Sequence, residues 1–328
     1  MDKSEFDLIE SYFAPLSKGY EEAYSLKNDA ALISVHPDHS TVVTMDTLVA
    51  GVHFLITDPA ADIARKCLRV NLSDIASMGA EAFAYTLSMA YNDDLDSEWV
   101  RSFTNGLESD QKRFSLHLIG GDTVKTPGPL TITVTCFGTV PRHQCFKRST
   151  AQPGQDVWVS GNLGDSGAGL KILTGEIDVK NTSFREELIK RYRLPQPRMA
   201  LGVQLLNQQL TNTAMDVSDG LLADLSHITN SSDVAAILFE ENLPLSNAFT
   251  NLMIGNADLK TELAVTGGDD YELLFTADRI HRDKITELSN ILSLKITRIG
   301  EITEGRGVSL IRKNGEEFSI TETGWKHF

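Results

Sequence analysis

Strand-patterned segments of this chain run into aspartates, and that constrains its fold more than any other feature. Thr41–Met45 (TVVTM) is followed by Asp46, and Leu116–Gly120 leads into Asp122 in IGGDT. Asp216 and Asp219 lie in AMDVSDGL, between a strand pattern and a helix pattern, and Asp29 sits in KNDAAL. Folds that alternate strand and helix place ligand groups at strand ends and in the turns that follow. One such aspartate is explained as an N-cap or a turn former. With several in one chain, a shared site competes with that explanation.

A helix predicted over 59–78 adds a second line. Ile63, Cys67, Asn71, Asp74 and Met78 recur at steps of three and four and share a face. The stripe is apolar except at Asn71 and Asp74. A carboxylate on an inward face is costly unless paired. A hydrogen-bonded buried polar pair is one reading. No Lys or Arg stands on the stripe, so the other is a cation from elsewhere or a metal. Oxygen-only ligation suits Mg²⁺ or Ca²⁺, and no EF-hand spacing is present.

Charge sharpens this. The formal net charge of −15 repels nucleic acid and anionic membranes. It also repels phosphates, unless metal ions mask it locally. Gly120-Gly121 precedes Asp122, Gly267-Gly268 precedes Asp269-Asp270, and a glycine-rich stretch spans 161–169. Glycines admit close backbone approach to phosphate, although each stretch alone also reads as a plain turn. There is no P-loop, no protein-kinase motif set, no His-Glu-x-x-His and no Gly-x-Ser-x-Gly. His53, after the Asp46 strand and Gly51, stands out among the histidines, with a surface or capping role as its default.

The 328 residues suit two domains, 1–145 and 146–328, with a Pro/Gly-containing boundary near 141–155. A helix is expected over 4–16, strands over 83–91 and 130–140, and a helix over 97–114. Beyond the boundary, strands are expected at 156–160, 213–217, 235–239, 263–266, 272–276 and 295–302. Helices are expected from residue 170 and over 221–229 and 279–292, and a hairpin about Asn314-Gly315. The three cysteines, Cys67, Cys136 and Cys145, show no Cys-x-x-Cys spacing. With no signal-peptide pattern and no apolar run of about 18 residues, a reducing cytoplasm is the expectation.

Five motifs in order, MDTLVAGVHF (45–54), VNLSDIASMGA (70–80), IGGDT (119–123), MDVSDGL (215–221) and GGDDYEL (267–273), resemble the thiamine-monophosphate kinase family. The resemblance runs from the first helix to Gly324-Trp325. The wider superfamily includes aminoimidazole ribonucleotide synthetase and selenophosphate synthetase. The resemblance implies an α+β N-terminal domain whose mixed sheet pairs in a homodimer, and an α/β C-terminal domain. It implies ATP and several Mg²⁺ ions in a cleft, and transfer of the γ-phosphoryl group to thiamine monophosphate, giving thiamine diphosphate and ADP. By motif position, Asp29, Thr44, Met45 (through its backbone carbonyl), Asp46, Asp74, Asp122, Asp216 and Asp219 match metal positions. Gly121, Asp122, Arg148 and Ser218 match nucleotide contacts, and His53, Asp269 and Trp325 match substrate contacts. No catalytic base is implied, because the acceptor is already a deprotonated phosphate. Ser25-Leu26-Lys27-Asn28-Asp29 stands where the family usually has Gly-x-Gly-Asp-Asp, and Asp269 where Glu is commoner. Another ATP-using superfamily member, or a non-catalytic nucleotide-binding relative, remains as an alternative.

Overall fold

The N-terminal segment, expected as one helix, is three pieces in the computed structural model, which describes residues 5–92, 96–252 and 257–318. They are α1 (Glu5–Leu8), a π-helical turn (Ile9–Phe13) and a 3₁₀ turn (Ala14–Ser17). Pro15 has no N–H to continue an α-helical ladder, and Ser17 Oγ donates back to Ala14 O at 2.8 Å. Residue 4, where the expected helix begins, lies outside the described residues.

The chain separates into two compact units. One is Met1–Ile75 with Ala80–His143; the other is Ala76–Gly79 with Gln144–Phe328. In the first, β1 (His39–Val49), α2 (Ala60–Ser77), β2 (Glu81–Tyr91), α3 (Ser97–Phe114), β3 (His117–Lys125) and β4 (Thr131–Pro141) form a helix-backed sheet. Its order is β1-β4-β2-β3. The β1–β4 and β4–β2 pairs are antiparallel and β2–β3 is parallel, so the sheet is mixed. Ile132, Val134 and Cys136 are fully buried on one face, while Val43 and Met45 on the other are 55% and 62% exposed. The period-two pattern of β1 thus separates a packed face from an open one. Two helices stack behind the packed face. Gly106 of α3 meets Ala61 of α2 so closely that a Cβ there would lie 2.4 Å from Ala61 O. Buried Asp110 of α3 accepts from Arg69 Nε and Nη2 of α2 at 2.6 and 2.9 Å, and from Arg65 Nε at 3.3 Å.

The second unit carries β5 (Asp156–Ser160), α4 (Asp165–Leu173), α5 (Thr182–Arg193), α6 (Met199–Asn207), β6 (Thr213–Val217), α7 (Leu221–Ser232) and β7 (Ala235–Phe239). It continues with α8 (Asn247–Thr250), α9 (Ala257–Thr266), β8 (Glu272–Ala277), α10 (Arg282–Leu292), β9 (Ile296–Thr303) and β10 (Gly307–Ile311). The six-stranded order is β10-β7-β9-β5-β8-β6. Helices alternate with strands as expected. The ladder is nonetheless mostly antiparallel, and only β10–β7 is parallel. Val157, Val159, Met215, Val217 and Leu274 of the sheet pack with Leu221, Leu225 and Ile228 of α7 as one core.

A second expected element also differs. The strand expected over 263–266 is the last turn of α9. A four-residue apolar run does not distinguish a strand from the buried turn of a helix, and Ala264 and Val265 are buried by helical packing. The expected hairpin is present as far as it is described: Arg312 N donates to Glu316 O at 2.8 Å and Phe318 N to Leu310 O at 2.8 Å. Residues 319 and 320 lie outside the described residues. No described helix is long and apolar enough to cross a membrane, and all three cysteines are free.

Candidate functional site

Strand β1 and helix α2 bring the first group together. Thr44 Oγ1 donates to Asp74 Oδ2 at 2.5 Å. The Asp46 N–H donates to Asn71 Oδ1 at 3.1 Å, and Asn71 Nδ2 donates to Cys67 O at 3.0 Å. Asn71 is therefore the satisfied buried polar residue that the stripe allowed. Asp74 is different, because it lies near a second carboxylate. Burial, and then the charge of Asp74, push Asp46 up to about 6. Two carboxylates, a hydroxyl and nearby backbone carbonyls are hard oxygen donors. The Met45 side chain is on the open face, so only its backbone could join them.

The second group lines a cavity of about 360 Å³ between the N-terminal segment and the sheet. Its polar wall includes Asn28, Asp29, Gly121 and Asp122, and its apolar wall includes Leu26, Ile33 and Phe137. Gly121 is required by the strand pairing, since a Cβ there would lie 2.0 Å from Leu87 O. Tyr24, Ser25 and Leu26 lead into Asn28-Asp29 with φ of 51°, 56° and 57°. That is left-handed backbone with no glycine to ease it.

The third group belongs to the second unit. Asp216, in β6, is 3% exposed, and Ser218-Asp219-Gly220 turns the chain into α7. Asp224 Oδ2 accepts from Ser218 N at 2.9 Å and from Asp219 N at 3.1 Å. Burial, then the charges of Asp216 and Asp219, push Asp224 up to about 8. The Gly267-Gly268-Asp269-Asp270 turn lies alongside: Asp269 N donates to Ser218 O at 2.8 Å and Tyr271 N to Val217 O at 2.7 Å. A Cβ on Gly268 would sit 2.7 Å from Ser218 O. Asp270 turns inward and accepts from Gly164 N at 2.6 Å and Ser166 N at 3.2 Å, capping α4. Glu272 is fully buried, held by Arg191, Arg198 and Ser160 Oγ. The two aspartate-rich motifs are thus neighbours, as β6 and β8 are paired strands.

Two expectations about position are corrected. Asp46 and Asp122 do not follow strands but lie inside them, because β1 runs on to Val49 and β3 to Lys125. Register with β4 and β2 carries both strands past their aspartates. His53 lies in the loop after β1, and Arg148 is exposed, its carbonyl accepting from Ser232 Oγ at 3.0 Å. Trp325 lies outside the described residues. Among the described residues, no three or more His, Cys, Asp or Glu gather as a metal cage. Asp224 and Asp270 are not singled out in the sequence. Only their N–H partners in the folded turns show what they do.

The family model "AIR synthase related protein, N-terminal domain" matches residues 27–140, and its C-terminal counterpart matches residues 152–313. The chain is 38% identical over 326 residues to the thiamine-monophosphate kinase of Escherichia coli (strain K12), covering 99% of this chain and 98% of that protein. The crystal structure of thiamine-monophosphate kinase from Stenotrophomonas maltophilia K279a superposes with a TM-score of 0.81 at 41% identity, covering 89% and 90% of the two chains. The structure of AaThiL complexed with AMPPCP and TMP superposes with a TM-score of 0.79 at 31% identity, covering 92% and 91%. The chain therefore belongs to the thiamine-monophosphate kinase family, built on the AIR synthase-related fold.

Proposed function

We propose that this protein transfers the γ-phosphoryl group of ATP to thiamine monophosphate, giving thiamine diphosphate and ADP, with Mg²⁺, in the cytoplasm and as a homodimer. The Thr44–Asp74–Asp46 cluster is the observation that carries the reading. Like charges are held together at partial burial, an arrangement that suits a hard cation on a phosphate. The relative complexed with AMPPCP and TMP supports the two substrates.

In this reading Asp29, Thr44, Asp46, Asp74, Asp122 and the Met45 carbonyl hold Mg²⁺ in the first unit, and Asp216 and Asp219 in the second. When bound, the ions offset charge on the transferring phosphoryl group. The chain's own groups do the positioning. Gly121, Asp122, Ser218 and the exposed Arg148 contact the nucleotide, whose base suits the apolar wall at Leu26, Ile33 and Phe137. His53, Asp269 and Trp325 contact the thiamine monophosphate. The acceptor oxygen is already ionised near neutral pH, so no residue has to remove a proton. Alignment and neutralisation supply the rate. The open sheet face at Val43 and Met45 is the surface by which two copies pair.

The test is a panel of thiamine monophosphate, free thiamine and aminoimidazole-type acceptors, with ATP, Mg²⁺ and product identification. Thiamine diphosphate is expected from the monophosphate alone, and EDTA stops it. A folded protein that makes none from the monophosphate overturns the proposal. Tight ATP binding without turnover would point to the non-catalytic relative instead.

A further inference from the structure

Lys66 lies on α2 at 2% exposure, and its ammonium donates to the His53 carbonyl at 3.0 Å. A lysine that deep is costly unless its charge does specific work. It stands one residue off the Ile63–Cys67–Asn71–Asp74 stripe. His53 is held at two further atoms: its N–H donates to Val49 O at 3.0 Å, and its ring Nδ1 lies 3.0 Å from the Val49 N–H. The loop that carries it closes through Gly51 N to Phe54 O at 2.8 Å, with Gly51 at φ +82°.

The Val49 contact has a chemical consequence. A backbone N–H can only donate, so Nδ1 must present its lone pair. The hydrogen of the neutral ring is then on Nε2. We infer that Lys66 is a positioning residue that locks the His53 loop, so that His53 meets the phosphorylated substrate as a neutral Nε2–H donor to an acceptor atom. The inference rests on His53 contacting substrate, as in the function proposed above. It assigns to that contact a tautomer, a direction and a buried anchor.

Two measurements test it. In ¹⁵N-histidine-labelled wild-type protein, the His53 resonances, assigned by their loss in His53→Asn, are expected to show unprotonated Nδ1 and protonated Nε2 near neutral pH. Lys66→Met is expected to raise KM for thiamine monophosphate about tenfold, the scale of one hydrogen bond, while KM for ATP and kcat stay within about twofold. Lys66→Arg, which keeps the charged donor, is expected to restore KM. A wild-type ring protonated on Nδ1 overturns the inference, whether or not any variant folds. So does an unchanged substrate KM in a folded Lys66→Met, or a parallel loss of kcat and both KM values. Absence of turnover by the wild type overturns the substrate reading instead, and the tautomer is still read without it.

Discussion

Asp224 and Asp46 are carboxylates whose surroundings oppose their charge, and this gives a pH dependence with a definite sign. Their folded values, about 8 and about 6, lie above the ordinary 3.8. The folded state therefore holds protons that the unfolded chain has released. Stability from these groups is full below about 4 and is lost as pH rises, through about 6 for Asp46 and about 8 for Asp224. The metal-free protein should lose melting temperature between pH 6 and pH 8, and Mg²⁺ should restore it. Asp224→Asn should flatten the profile, since its one carbonyl oxygen can still accept from Ser218 N and Asp219 N. Thermal denaturation across that range checks this. Asp74→Asn should leave the metal-free protein as stable or more so, by removing a like charge from beside Asp46. It should lower kcat/KM by about 100-fold or more, read in the coupled kinase assay. Ser25 holds a left-handed backbone, which glycine adopts without strain. Ser25→Gly should raise unfolding free energy by about 1 kcal/mol, measured by urea titration.

The elements show where periodicity suffices. Helix α3 has the predicted ends, because Asp96 caps it through Trp99 N at 2.7 Å and Ser115 stops it in a left-handed turn. Helix α2 and the short strands β5, β6 and β7 also match, each carrying a clear apolar pattern and flanking breaks. The last turn of α9 does not, because four apolar residues carry no period of their own. Close contact of α2 and α3 depends on Gly106, and this was silent in the sequence. Gly106→Ala should cost about 1–3 kcal/mol through a clash with the Ala61 backbone, and equilibrium denaturation will show it.

At the scale of the whole molecule, the open face of the first sheet carries the oligomer prediction. Val43→Glu would put a carboxylate at the centre of a self-paired face. It should convert a dimer to a monomer in light scattering after gel filtration, with the β1–β4 ladder kept because Val43 is already exposed. A wild-type protein that is monomeric at all concentrations would remove the sheet-pairing proposal. The net charge of −15 works in the same direction as the proposed metal binding: a chain this acidic accepts phosphates only where cations gather.

Residue order alone determined the class of elements, the inward stripe of α2, the oxygen-only chemistry of the aspartates and, through five ordered motifs, the family. Those are properties of local pattern, and a side chain's type and spacing travel with the chain. Tertiary structure decided which groups meet. Thr44 reaches Asp74 across thirty positions, Asp224 serves the turn at Ser218-Asp219, and Lys66 holds the His53 loop. It also moved Asp46 and Asp122 from strand ends into strands, since a ladder stops where its partner stops, not where the pattern weakens. Burial and the nearness of like charges set the carboxylate energetics, and both depend on distances that exist only after folding.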